Sequence, residues 1–215
     1  MPGNNVREWS IRIRTEYGDR MSVDGAHAPR LTAEDWVTAA LEAISRGGLA
    51  AVAVEPLARS LGATKGSFYW HFRNRDALVS AALTAWETGE TVEVAEMLRP
   101  LPDAGSRLKV LMRAALDDRP GANVEAGLLT DSAVPEVRAV LDRATTARTG
   151  YLRRLFEELG APSPHQRATT AFALYLGLLH MRRSNSSQVP RAADLDDYVD
   201  SVCRWLAELD EVTGT

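Results

Sequence analysis

The sequence predicts an all-α protein. Apolar residues recur at three- and four-residue spacing from residue 31 onward, and no run alternates with period two for more than a few residues. The periodic segments are also bounded by recognisable helix starts and stops. At 215 residues, 45% apolar and 25% charged, the chain has an ordinary globular composition. It is long enough for one large domain, or for a small domain joined to a medium one.

The first strong element opens at Leu31-Thr32-Ala33-Glu34-Asp35-Trp36. Thr32 can cap the helix, Asp35 stands at the reciprocal capping-box position, and Leu31 and Trp36 are spaced as a hydrophobic staple. Val37, Ala40, Leu41 and Ile44 give it one apolar face, and Gly47-Gly48 ends it. A second helix is expected over 54–61, stopping at Gly62, and a third, short one over 65–72. Asn74 caps a long helix whose inward residues are Leu78, Val79, Ala82, Leu83 and Trp86, and Pro100 closes this region. Helices are then expected over 104–118, 123–130 and 135–159, followed by a break at Gly160, Pro162 and Pro164. The last two are expected over 166–183 and 195–209, joined by a polar loop. In the first thirty residues, Val6, Trp9, Ile13 and Tyr17 fit one helical face, 18–29 reads as an arm or linker, and Met21 offers an alternative start.

The totals narrow the function classes. No stretch of eighteen uncharged apolar residues is present, so no membrane span is expected. Arg12, Arg14 and Glu16 interrupt any leader-like apolar run, and the expected compartment is the cytoplasm. A single cysteine, Cys203, provides neither a disulfide framework nor a cysteine-rich zinc site. His27, His71, His165 and His180 lack metal-ligand spacing, so neither metal nor cofactor is expected. Net charge is −4, but residues 1–75 carry ten cations against eight anions while the remainder is acidic. A small basic end on an acidic body suits docking on a polyanion through one end.

Residues 62–78, GATKGSFYWHFRNRDAL, are the most informative stretch. Lys65, Tyr69, Trp70, His71, Arg73 and Arg75 precede the first acid, Asp76. Tyr69, Trp70 and His71 in a row cannot all face a core from one short helix, and outward rings beside cations fit a phosphate-lined partner. Ala58 and Gly62 supply the small residue and the turn glycine that a helix-turn-helix requires. Leu57, Leu61, Ala63 and Phe68 fall where apolar side chains lock such a pair, and Phe68 and Phe72 anchor the third helix inward.

From 31 to 83 the chain resembles the TetR family of transcriptional regulators. The resemblance is carried by the string SFYWHF, the basic-Asn-basic link Arg73-Asn74-Arg75 and the amphipathic helix after it. It implies an arm over 1–30, a three-helix DNA-binding domain over 31–77 and a helical ligand-binding and dimerisation domain over 78–215. It also implies that Thr64, Lys65, Gly66 and Ser67 open the reading helix and meet base edges or nearby phosphates. Tyr69, Trp70 and His71 match positions that contact phosphates and sometimes bases, and Arg75 matches a phosphate clamp. Ala53 departs from the family pattern, which often has a capping Ser or Thr there; its loss costs about 1 kcal/mol. Arg7, Arg12, Arg14, Arg20 and Arg30 stand among Glu8, Glu16, Asp19 and Asp24, which favours a solvated tail over a DNA-gripping arm.

Residues 168–181 are apolar almost all round and need cover on both sides, while Leu195, Tyr198, Val202, Trp205 and Leu209 follow a bundle seam. A homodimer interface of Leu176, Leu179, Tyr198, Val202, Trp205 and Leu209 is therefore expected, in line with the resemblance. The family's ligand cavity is expected among Trp86, Met112, Leu116, Tyr151, Phe156, Phe172 and Tyr175, for a mainly apolar or aromatic inducer. The expected function is a ligand-responsive regulator, a repressor on a palindromic double-stranded DNA operator, with no enzymatic role. The competing readings are a helical enzyme or a scaffold protein whose helix-turn-helix is only packing; no phosphate loop or nucleophile elbow supports the first.

Overall fold

The computed structural model describes residues 31–116, 120–184, 186–190 and 194–208. The expected arm over 1–30 and Leu209 lie outside these residues, and the side chain of Leu116 is likewise not described. Among the described residues the chain is helical and contains no strand. Its helices are α1 (Ala33–Gly47), α2 (Val54–Ser60), α3 (Lys65–His71), α4 (Arg75–Thr88), α5 (Val94–Leu98) and α6 (Ala104–Leu116). They continue as α7 (Pro120–Thr130), α8 (Pro135–Glu158), α9 (Pro164–Arg183) and α10 (Leu195–Glu208).

The local signals account for most boundaries. Thr32 and Asp35 form the capping box at α1, and Gly48 ends that helix with φ of 64°. At the end of α2, Gly62 takes φ of 62°. Its N–H donates to the Arg59 carbonyl at 3.2 Å, while Ala63 N–H reaches back to Ala58 at 2.8 Å. That paired 6→1 and 5→2 arrangement is a Schellman cap, and the left-handed residue it needs is why glycine stands at 62. Gly160 ends α8 in the same way.

One boundary differs from expectation. The helix expected to run unbroken toward Pro100 is interrupted by a π-turn over Gly89–Glu93. A π-turn adds a residue and disrupts the regular carbonyl ladder. Here the carbonyl of Glu90 accepts from Arg148 Nε at 3.2 Å, a partner fifty-eight residues away that local periodicity does not reveal.

Contacts divide the described chain into two compact units, one holding residues up to Trp86 together with 119–133, the other 87–118 and the rest. The division between these units falls after Trp86, inside α4, whereas the division expected from the sequence lay between 77 and 78. In the first unit, α7 lies against α1. A Cβ added to Gly127 would stand 2.1 Å from the Ile44 carbonyl oxygen, so only glycine permits that approach. Asp131 accepts from the Leu49 N–H at 2.7 Å, and Trp86 donates its indole N–H to the Gly121 carbonyl at 3.1 Å. Trp36, Ile44, Phe68, Leu78, Leu83 and Leu128 fill the core of this unit.

The second unit is a helical bundle in which α8 packs along α9, and α6 packs against α8, α9 and α10. Glu87 receives both Nε and Nη2 of Arg143, at 2.8 and 2.7 Å. Arg167, buried at 4% exposure, donates to the carbonyls of Pro162 and Leu206 and so ties the start of α9 to α10. Cys203 is buried on α10, and its loss of solvent pushes the thiol up to about 11, so it stays protonated at neutral pH.

Candidate nucleic-acid interface

The geometry of the candidate surface is set from behind by one ring. Phe68, with no exposed surface, meets Trp36 edge-on at 5.3 Å, meets Tyr69 edge-on at 5.2 Å and stacks on Phe72 at 5.9 Å. With Phe68 inward, helical periodicity turns Gly66 and Trp70 to the opposite side, while Lys65 and Tyr69, one turn apart, lie along the flank and are exposed as well. Tyr69 is 55% exposed and Trp70 86% exposed, with His71 and Arg73 exposed beside them. Thr64 caps α3 by accepting from the Ser67 N–H at 3.2 Å, and Ser67 is half-buried. Ala53 gives α2 no side-chain cap. A Cβ at Gly66 would meet only Thr64 Oγ1, at an ordinary 3.6 Å, so the fold of the free chain does not demand a glycine there.

Two cations of this surface have partners within the chain. The resemblance assigns Arg75 to a phosphate, whereas the structure gives its guanidinium to the protein. Its Nε donates to the Val52 carbonyl at 2.7 Å, its Nη2 to the Leu49 carbonyl, and its Nη1 lies near Asp76. Asn74 caps α4, accepting from the Ala77 N–H at 2.9 Å, and so fixes where that guanidinium starts. Arg75 therefore closes the link between α1 and α2 (the 3₁₀ turn Leu49–Ala51) onto α4. Arg75→Ala is expected to lower stability by about 1–3 kcal/mol through loss of these charged hydrogen bonds. Arg75→Lys should recover little, because an ammonium lacks the fork that spans both carbonyls. Thermal melts of the two variants check this; full recovery in the lysine variant would count against the two-carbonyl role.

Lys65 is the second. Its Nζ lies 2.9 Å from Glu55 Oε1 on the first turn of α2. The hydrogen bond from Lys65, and then its charge, hold Glu55 below the usual carboxylate value, and Glu55 raises Lys65 in return. Sequence reading missed Glu55, because it lies on the preceding helix, outside the stretch 62–78 that the reading singled out. The available signal was an acid ten positions before Lys65, one helix back across a tight turn.

The other expected sites are distributed as follows. Met112, Phe156, Phe172 and Tyr175 are buried in the second unit, Tyr151 is half-buried there, and Trp86 belongs to the first unit. Phe172 and Tyr175 lie 5.8 Å apart, and Arg148 stands 6.0 Å over the Tyr175 ring. A groove of about 240 Å³ lies elsewhere, lined by Gly105, Leu108, Lys109, Leu159, Asp200 and Cys203 among others. Of the expected interface residues, Leu179 and Val202 are 4% and 9% exposed and fill the unit's own core. Three-four spacing cannot distinguish an inner seam from an outer one, and these two lie on the inner one. Leu176 and Tyr198 are half-buried, and Trp205 is 55% exposed. Among the described residues no cluster of His, Cys, Asp or Glu could hold a metal ion, and no helix is long and apolar enough to cross a membrane.

Residues 37–82 match the family model of bacterial regulatory proteins, tetR family. Solved structures share the fold over most of the chain. A TetR-family transcriptional regulator from Cytophaga hutchinsonii is 18% identical with a TM-score of 0.65, covering 88% of this chain and 100% of its own. The regulator FadR from Bacillus subtilis, in complex with stearoyl-CoA, is 16% identical with a TM-score of 0.62, covering 84% and 100%. A protein from Saccharomonospora viridis in complex with choline is 18% identical with a TM-score of 0.66, covering 82% and 96%. At these identities the likeness is one of fold.

Proposed function

Because the chain carries a TetR-family helix-turn-helix domain on a TetR-like helical fold, we propose that it is a homodimeric, non-enzymatic transcriptional repressor of the cytoplasm. It binds a palindromic double-stranded DNA operator and leaves it when a small, mainly apolar or aromatic molecule binds. One observation carries the reading: α3 is pinned by the buried Phe68, yet leaves Lys65, Gly66, Tyr69 and an 86%-exposed Trp70 open to a partner. Thr64, Lys65, Gly66 and Ser67 sit where a reading helix meets base edges, and Tyr69, Trp70 and His71 where it meets the backbone.

A second copy would cover the outer face of the last two helices. Thr170, Ala173, Gly177 and His180 are exposed along α9 at three-four spacing, and Trp205 is exposed on α10. Such a stripe of small residues lets helices approach closely, and Trp205 supplies an aromatic anchor. The aromatic residues of the second unit, Phe172 and Tyr175 with Arg148 nearby, support a ligand site there. That the fold neighbours include complexes with stearoyl-CoA and with choline supports ligand responsiveness without identifying the ligand. A ligand releases DNA only by binding more tightly to the state that docks poorly.

Gel-shift on a randomised palindromic library, repeated at several salt concentrations, tests the reading. Trp205→Glu should convert a dimer into a monomer by sedimentation and lower affinity for the selected palindrome by at least tenfold, with α-helix content unchanged. A monomeric wild type that binds the palindrome at full strength would remove the dimer from the proposal.

A further inference from the structure

We propose that Glu55 is a specificity-determining residue of the reading surface: its carboxylate aims Lys65 at a base edge and opposes loose binding to the phosphate backbone. The inference rests on the DNA-binding reading of α3. Glu55 and Lys65 are both exposed, with side-chain exposures of 68% and 56%, and their charged atoms lie 2.9 Å apart. Lys65 belongs to the first turn of α3, one turn before the exposed Tyr69 and on the same flank of the helix. The carboxylate therefore stands on the outward side, beside the groups that would meet DNA, and not in the core.

Fold stability is a poor reason for this pair. An ion pair between two exposed side chains contributes little to stability, since water screens it and holding both side chains costs entropy. Its cost on a DNA-facing surface is larger, because a carboxylate there repels the phosphates that would approach within a screening length of about 10 Å. A lysine without the pair would hold any phosphate, whatever the sequence. Tied to Glu55, the ammonium spends one of its three N–H donors on the carboxylate and points the other two in fixed directions. Two donors match the O6 and N7 acceptors that guanine alone presents together in the major groove. Arg59, one turn after Glu55 on α2, adds a favourable charge that keeps the carboxylate ionised.

The test compares wild type, Glu55→Gln, Lys65→Gln and the double variant on a selected palindrome and on a mixed-sequence duplex. Freeing one lysine should steepen the slope of log affinity against log salt by about 0.9, which at 0.1 M salt is about an eightfold tightening on the mixed duplex. Library selection with Glu55→Gln should show relaxed preference at one base pair per half-site, with a loss of roughly tenfold there and none elsewhere. The double variant should lose the tightening, because Lys65 produces it. Unchanged mixed-duplex affinity and slope in Glu55→Gln, or undiminished base preference at every position, would overturn the assignment. So would equal losses of melting temperature in the two single variants, which would mark the pair as structural. A wild type that binds no duplex overturns the DNA-binding reading itself, whereas wild-type binding with an indifferent Glu55→Gln overturns only this proposal.

Discussion

Gly127→Val is expected to cost at least about 3 kcal/mol, the range reached when added atoms meet a packed interior that cannot yield. A helical glycine is ordinarily a liability, and replacing it by alanine gains about 1 kcal/mol of helix propensity. Here the sign reverses. The first added carbon would stand 2.1 Å from the Ile44 carbonyl oxygen and 2.9 Å from its carbon. Both are backbone atoms of α1, and Ile44 is itself fully buried. The only relief is to push α7 off α1, which would expose Ala122, Val124, Ala126 and Leu128, all of them buried on α7. The damage would extend further, since Asp131 just beyond α7 holds the Leu49 N–H and the Leu49 carbonyl receives Arg75. The expected record is a lower melting temperature for Gly127→Ala and a still lower one for Gly127→Val. An alanine variant more stable than wild type would show that the two helices do not approach so closely.

That contact also shows where sequence reading stopped. Thr32, Gly62, Asn74 and Gly160 were legible because a cap is chemistry between near neighbours, and each marks a helix end close to its expected place. The inward set of α4, from Leu78 to Trp86, was legible for the same reason. What periodicity cannot supply is the identity of the opposing surface. The segment near 123–130 reads as a short apolar helix, but nothing local says that it packs on α1, some eighty residues earlier. Leu179 and Val202 fit a seam, but which seam depends on helices elsewhere in the chain. The reading surface divides along the same line. Tyr69 and Trp70 could be placed outward from Phe68 alone, whereas the partners of Arg75 and Lys65 come from other elements. Val52, Leu49 and Glu55 lie twenty-three, twenty-six and ten positions from the cations they hold.

The other large effect separates the ring that builds the reading surface from the ring that uses it. Phe68→Ala should cost about 3–5 kcal/mol, the usual range for deleting a buried aromatic side chain. Phe68 has no exposed surface and is the common neighbour of Trp36, Tyr69 and Phe72. Its loss leaves a cavity between α1 and α3, and a seven-residue helix has little stability of its own to hold the remaining rings in place. Trp70→Ala should behave oppositely. With 86% of its surface in solvent, the indole buries almost nothing on folding, so stability should change by no more than about 0.5 kcal/mol. Its affinity for DNA should nevertheless fall by about tenfold or more, a loss of about 1.4 kcal/mol. A large ring held at the surface by the pinned helix beneath it has contact energy to give only when a partner arrives. Thermal melts and salt-titrated binding on one selected duplex measure both variants side by side. Trp70→Ala that melts as low as Phe68→Ala, or that binds duplex as tightly as wild type, would show that the face of α3 carrying Trp70 is not the one that meets DNA.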